Sequence, residues 1–157
     1  MRAPGQDYAG AVYGSLLAAS VVAGTNLRTP PRAIVLAALL TGTGLVFWLA
    51  HVYSRLAGGP ATGGARWPAV RAAAGHEWPV AGAALPPAAA ALAAKLIGTS
   101  NATAAWLALL VAVAGQVGWA AIASREAGRA WPAVAASAAG NLVLGLAIVA
   151  LKVWLAH

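Results

Sequence analysis

Three ionisable residues lie near the ends of apolar segments and have side chains suited to proton transfer or ligand binding. His51 lies within the apolar run 33–56, about one helical turn from its end. His76 and Glu77 directly precede the next apolar segment. Because imidazole changes its charge near neutral pH, His51 is a candidate proton relay or ligand-binding residue. We include Tyr53, two residues further on, in the same candidate site.

Two histidines and a carboxylate also match the ligands that zinc prefers. The sequence contains no HxxxH or HExxH pair, however, and we predict neither a metal site nor a cofactor. A structural interpretation of the same residues stays open. In it, His51 bonds a neighbouring carbonyl, His76 is a solvated loop residue, and Glu77 complements the amide-rich start of a helix.

Two amide side chains form a second candidate site. Gln116 and Asn141, together with Thr43, lie near the midpoints of their apolar segments and therefore near one level of a bilayer. An amide without partners in hydrocarbon costs several kcal/mol, so both should point into the protein. They can line a path for a solute or proton, or they can form interhelical hydrogen bonds of roughly 0.6 kcal/mol each.

Composition indicates a membrane protein. The chain has 157 residues, of which 61% are hydrophobic and 8% are charged, whereas soluble domains carry about 25% charged residues. The formal charge is +7, but the basic residues stand singly at the ends of apolar runs, which is typical of loops between membrane spans. We therefore exclude nucleic acid as a partner. The absence of cysteine excludes disulfides and thiolate chemistry.

The apolar runs predict an all-α integral membrane protein, a single transmembrane domain in which five helices form a bundle. The predicted spans are residues 8–27, 33–56, 79–97, 102–124 and 132–155. A Gly/Pro-rich linker, 57–78, joins the second span to the third, and its middle has the pattern of a short interfacial helix. Pro86 and Pro87 predict a break in the third span. Four spans plus a re-entrant third segment is the alternative.

Basic residues predict the orientation. Five spans place the N-terminus and the second and fourth loops on one side, with six basic residues (Arg2, Arg55, Arg66, Arg71, Arg125, Arg129) against four on the other (Arg28, Arg32, Lys95, Lys152). The positive-inside rule then predicts a cytoplasmic N-terminus in a bacterial inner membrane. Arg55, Arg125, Lys95 and Lys152 are predicted to anchor their helices to anionic lipid headgroups.

Two stretches of sequence resemble each other at an offset of 70 residues. The pattern of 38–58, from Ala-Leu-Leu to Ser-Arg-Leu-Ala-Gly, is repeated in 108–128, which ends Ser-Arg-Glu-Ala-Gly. Spans one and two would then correspond to spans three and four, leaving the fifth unpaired, and Ala121 would take the place of His51. Such repeats are common in transporters, and chance similarity in an alanine-rich chain is the alternative.

The motif Phe-Trp-Leu-Ala-His-Val-Tyr of residues 47–53 is followed by Glu77 before the proline-bearing span and by a lysine in the last span. This pattern resembles that of small, uncharacterised multi-span membrane proteins of high-GC actinobacteria. The resemblance covers most of the chain and implies no activity.

Three functions remain open. The first is an oligomeric transporter or channel for an ion, a proton or a small solute, using His51 and the Gln116–Asn141 level. The second is an accessory protein that docks a membrane partner through small-residue faces such as Gly10 and Gly14. The third and least favoured is a lipid-modifying enzyme around His51 and Glu77, since the sequence offers no intramembrane carboxylate pair and no phosphate-binding loop.

Overall fold

A computed structural model describes residues 6–26, 29–58 and 67–155, with only the backbone of residues 6, 7, 152 and 155. These residues form six helices: α1 (Gln6–Ala23), α2 (Ala33–Ala57), α3 (Trp67–Gly82), α4 (Leu85–Leu96), α5 (Asn101–Glu126) and α6 (Trp131–Leu155). The described part of the chain contains no strand, so the all-α prediction is confirmed.

Four segments are long and apolar enough to cross a membrane: Ala33–Ala57, Trp67–Leu96, Asn101–Glu126 and Trp131–Leu151. Helix α1 is also apolar but shorter than these. It ends at Ala23 instead of reaching residue 27, because the Thr25 hydroxyl donates to the Val22 carbonyl (2.7 Å) and the Thr25 amide bonds the same oxygen. A multi-pass membrane protein with four such segments is therefore the architecture that the structure supports.

The segment between α2 and the prolines departs from the prediction. Residues 57–78 were expected to be a linker with a short helix at 65–75 in its middle, but α3 continues without a break from Trp67 to Gly82. Proline is favoured in the first turn of a helix, where Pro68 lies, and the alanines that follow favour helix. The linker therefore ends before residue 67, and residues 59–66 lie outside the described part. A turn at residues 83–84 separates α3 from α4.

Helix α5 lies at the centre of the bundle and packs against α1, α4 and α6, while α2 packs mainly on α3 and α4. Glycines allow the closest of these approaches. A Cβ atom at Gly14 would lie 2.3 Å from the Val80 carbonyl oxygen, so α1 and α3 touch through their backbones. Gly10 also lies against Val80. The small-residue face that the sequence offered to a partner is therefore covered by the protein's own α3.

The two ends of the bundle differ in polarity. The N-terminal end is the end of the bundle at which α1, α3 and α6 begin and α2 and α5 end. The half of the bundle at the opposite end contains the main apolar core, built from residues such as Val22, Leu36, Leu40 and Leu109. The buried polar side chains lie towards the N-terminal end or near mid-height (Ser15, Glu77, Gln116 and Ser124). Because buried polar side chains in an apolar bundle often have a function, a functional site is expected in the N-terminal half.

Candidate functional site: two cavities at the N-terminal end

One face of α2 positions the first group of functional side chains against α3. Gly44 lies on this face, and a Cβ atom added to it would be 3.0 Å from the Ala84 Cβ atom. One turn on, the Trp48 indole donates to the Ala74 carbonyl oxygen (2.9 Å) and stacks edge-on against Trp78. Close helix contact at Gly44 and the Trp48 hydrogen bond together fix the register of α2 against α3.

This register brings Arg55 opposite Glu77. The Glu77 Oε1 atom lies 2.6 Å from Arg55 Nε and 2.5 Å from Nη2, and the carboxylate side chain is 11% exposed against 51% for the arginine. A nearly buried carboxylate needs a charged partner, because desolvation of an unpaired charge is costly. The Arg55–Glu77 pair therefore lets a negative charge be held inside the N-terminal half.

His51 lies one turn before Arg55 and lines a cavity of about 490 Å³ together with Tyr13, Ser54 and Glu77. Its Nδ1 atom is 2.8 Å from the Phe47 carbonyl oxygen. Since a carbonyl can only accept, Nδ1 carries the proton of this bond, and Nε2 is the nitrogen that can gain or lose a proton. The Tyr13 ring packs against the imidazole with ring centroids 5.5 Å apart.

This first cavity also contains the residue types of a serine–histidine–acid triad, yet they are not connected as one. The hydrogen bond of His51 Nδ1 goes to its own helix, and Glu77 Oε1 is held by Arg55. A triad requires the acid to orient the histidine. The arrangement therefore does not support the enzymatic hypothesis around His51 and Glu77.

A second cavity of about 790 Å³ lies between α1, α5 and α6. Arg129 and Ala127 line its end near the N-terminal surface, and Gln116, Asn141 and Ser137 line its deeper part. The eleven residue steps from Gln116 to Ala127, the residue after the end of α5, correspond to about 16 Å, roughly half the thickness of a bilayer core. The cavity is thus a cleft from one end of the bundle to about mid-height.

The deep part of the cleft contains a hydrogen-bonded amide pair. Gln116 Nε2 donates to the Asn141 backbone carbonyl (3.2 Å) and to its Oδ1 atom (3.3 Å), while Asn141 Nδ2 donates to the Ser137 carbonyl (3.0 Å). The buried Gln116 Oε1 atom has no hydrogen-bond partner. A buried acceptor without a partner costs about 1–3 kcal/mol, so the Gln116 Oε1 atom could accept a hydrogen bond from one further donor.

The two cavities adjoin each other. Tyr13 and Arg55 line both, so these side chains form the partition between the His51 cavity and the cleft. Beyond Gln116, the buried residues of α5 are all apolar, from Val113 back to Ala104. Access to both cavities is therefore from the N-terminal half, and the apolar core closes the other half.

The structure separates some of the residues that the sequence grouped. His51 and Glu77 share the first cavity, but His76 lines the second, and Tyr53 is 74% exposed and lines neither. Among the described residues, no group of three His, Cys, Asp or Glu side chains could hold a metal ion. The histidines and Glu77 are therefore not gathered into a common ligand set.

The predicted headgroup anchors lie in three settings. The Arg125 guanidinium lies over the Trp131 ring at 4.7 Å, and Lys95 is exposed at the opposite end of the bundle. Arg55 forms the ion pair described above, a contact that its position at a helix end did not indicate. The side chain of Lys152 lies outside the described part of the structure.

Sequence reasoning missed three residues of the site: Tyr13, Arg129 and Ser137. Ser137 could have been identified from the sequence, because it lies four residues before Asn141 and so shares its helix face. Tyr13 and Arg129 carried none, since their roles depend on how α1 and the last loop are placed beside α5.

No family model, no curated protein and no solved structure matches the chain. The resemblance to actinobacterial multi-span proteins therefore stays a prediction, and the function must be argued from the geometry of the cavities alone.

Proposed function

We propose that the protein is a small transporter or channel for an inorganic anion, with His51 as a proton relay beside the route. The observation that carries the proposal is the cleft from Arg129 to the Gln116–Asn141 pair. Clefts lined by one sign of charge concentrate the opposite ion. Arg129 provides positive charge along this cleft, and the charges of Arg55 and Glu77, at its border with the first cavity, neutralise each other.

The deep amide level suits a partly dehydrated ion. The Asn141 side-chain amide has a second N–H besides the one that bonds Ser137, and a donor in a low-dielectric site can replace water around an anion. The amides carry no charge, so a bound ion can leave again, which conduction requires. The apolar core beyond Gln116 corresponds in this proposal to a closed gate.

The proposal includes a bilayer, an orientation and an oligomer. We place the chain in a bacterial inner membrane with the N-terminus in the cytoplasm, on the basis of the basic residues around that end. In this arrangement α1 is a fifth, short span. Large apolar side chains on the outward faces of α2 and α6, among them Val46 and Val143, are available for lipid or for further copies of the chain. Oligomerisation is part of the proposal because five slim helices enclose little volume.

Two finer features of the sequence belong to the same proposal. We attribute the turn at residues 83–84 to Pro86 and Pro87, which lack the amide hydrogens that would bond the carbonyls of Gly82 and Ala83. We also retain a duplication of 2+2 helices, supported by the equivalent ends of α2 and α5, each with an arginine in its last turn. Broken helices and repeats are both frequent in transporters.

Anion flux into proteoliposomes tests the proposal. Vesicles are diluted into potassium chloride, nitrate or phosphate with valinomycin present, and swelling is followed by light scattering. Protein-containing vesicles should swell faster than empty ones for at least one anion. Gln116→Leu and Arg129→Gln should slow the swelling several-fold, whereas Arg125→Gln, an equal charge change outside the cleft, should not. Equal rates with and without protein for all three salts would rule out anion transport.

A further inference from the structure

A third cavity lies at the end of the bundle opposite to the proposed entrance. It has a volume of about 480 Å³ and is formed where α2 begins, α4 ends and α5 begins. Its lining includes Arg32, Ile34, Leu92, Lys95, Leu96 and Asn101. Beneath it, Ala33, Ala94 and Ala104 form a small buried cluster. Alanines at all three helix contacts bring the helices close together but leave no bulk to fill the groove above them.

The charge in this groove is positive and unbalanced. Arg32 and Lys95 are both exposed there, and the two described glutamates, Glu77 and Glu126, lie at the N-terminal end, where they bond Arg55 and Tyr8. Two cations beside an apolar groove at the end of membrane-crossing helices match the phosphate of an anionic lipid. The described part of the chain supplies no carboxylate to compete with it.

The rest of the lining matches the apolar part of such a lipid. Ile34 is 63% exposed and Leu96 is 88% exposed, and Leu92 continues the apolar surface towards the middle of the bundle. In water these side chains would be unfavourably placed. An acyl chain lying along them, below a phosphate held by Arg32 and Lys95, satisfies both parts of the groove.

Asn101 indicates which type of lipid headgroup the groove can bind. Its Oδ1 atom is buried and has no hydrogen-bond partner, and it lies at the first residue of α5 beside the two cations. A carbonyl oxygen accepts from a hydroxyl but cannot bond a phosphate oxygen. The unsatisfied acceptor therefore favours a headgroup that carries a hydroxyl group near its phosphate.

We propose that this groove is a binding site for an anionic phospholipid with a glycerol headgroup. The phosphate contacts Arg32 and Lys95, a headgroup hydroxyl donates to Asn101, and an acyl chain packs on Ile34, Leu92 and Leu96. The site requires only that the helices lie in a bilayer and is independent of the transport proposal.

Lipid binding by the full-length protein in detergent micelles tests this site. Retained lipid is measured by native mass spectrometry with phosphatidylglycerol, with phosphatidylmethanol, which is anionic but has no headgroup hydroxyl, and with phosphatidylcholine. Phosphatidylglycerol should bind best and phosphatidylcholine least. Equal retention of all three lipids would overturn the proposal, and equal retention of the two anionic lipids would remove the role of Asn101.

Three variants test whether the lipid binds in this groove. Arg32→Gln with Lys95→Gln should lower the affinity for phosphatidylglycerol roughly 30-fold, as two basic residues at an anionic surface imply. Arg71→Gln with Arg129→Gln removes the same charge at the other end and should leave it unchanged. Asn101→Leu should abolish the preference for phosphatidylglycerol over phosphatidylmethanol. Equal losses in the two double variants would show binding by net charge alone and would overturn the site.

Discussion

Arg55 and Glu77 connect the end of α2 to the middle of α3, with two of the three arginine side-chain nitrogens, Nε and Nη2, within 2.6 Å of one carboxylate oxygen. The carboxylate is nearly buried, whereas the arginine is half exposed and lines both cavities at the N-terminal end. The pair therefore has two consequences. It fixes two helices against each other, and it neutralises the carboxylate that lines the cavity next to the cleft.

Replacing Arg55 alone should destabilise the protein more than replacing both members of the pair. Arg55→Gln leaves a nearly buried carboxylate without its cation, so the free energy of unfolding should fall by about 1–3 kcal/mol. The double variant Arg55→Gln/Glu77→Gln leaves two neutral amides and should recover part of this loss. Thermal unfolding in detergent measures the order of stability. Arg71→Gln, an exposed arginine on α3, is the control and should match the wild type. A double variant less stable than Arg55→Gln would contradict this account.

The contact between α1 and α3 gives a second prediction. Gly14→Ala places a methyl group 2.3 Å from the Val80 carbonyl oxygen, and a backbone atom cannot move aside as a side chain would. The variant should be destabilised by about 1–3 kcal/mol. Gly118→Ala is the matched control, because a Cβ atom there meets nothing within 4 Å. Alanine should stabilise that helix by about 0.5–1 kcal/mol relative to glycine.

Unfolding midpoints of the two variants should therefore move in opposite directions. If Gly118→Ala were instead destabilising, Gly118 would have to lie against something other than this chain, such as a second copy. If Gly14→Ala kept the wild-type midpoint, the backbone contact between α1 and α3 would be wrong.

The helices that the sequence predicted well are those with long unbroken apolar runs. The run 33–56 becomes α2 and the runs 102–124 and 132–155 lie within α5 and α6, because nothing in them competes with helix. The short helix expected at residues 65–75 corresponds to the first part of α3, but the sequence did not indicate that this helix would continue through Pro79 to Gly82. The boundary of α1 was set by the Thr25 side chain, a local bond with little sequence signature.

The sequence predicted contacts in the candidate site only where the position of a residue along its helix was sufficient to infer them. Counting from helix midpoints put Gln116 and Asn141 at one level, and the structure places them in hydrogen-bond contact. The Arg55–Glu77 pair was not accessible, because it depends on the register of α2 against α3. Gly10 and Gly14 indicated a close helix contact but did not say with which helix.

The orientation of the chain can be tested directly because the sequence contains no cysteine. Ile97, after α4, and Ala130, before α6, lie at opposite ends of α5 and are both exposed. In intact bacterial cells, a membrane-impermeant maleimide should label Ile97→Cys, and Ala130→Cys only after permeabilisation. The reverse pattern would invert the proposed orientation. Labelling of both variants in intact cells would contradict α5 as a span.

His51 provides the last prediction, on the pH dependence of anion flux. The groups facing its cavity are Arg55 on α2, Glu77 on α3 and Tyr13 on α1, and the first two neutralise each other. Protonation at Nε2 adds a positive charge beside the partition that Tyr13 and Arg55 form with the cleft. Flux should therefore be greater when Nε2 is protonated and should rise on acidification. His51→Gln cannot gain that charge and should reduce the rise in flux on acidification, leaving only what His76 in the cleft contributes, while keeping the unfolding midpoint within a few degrees. The control is Tyr53→Phe, which changes an exposed residue two positions away that lines neither cavity, and its profile should match the wild type. A rise in flux of the same size in His51→Gln as in the wild type would exclude His51 as the proton-accepting group, even if the protein does conduct anions.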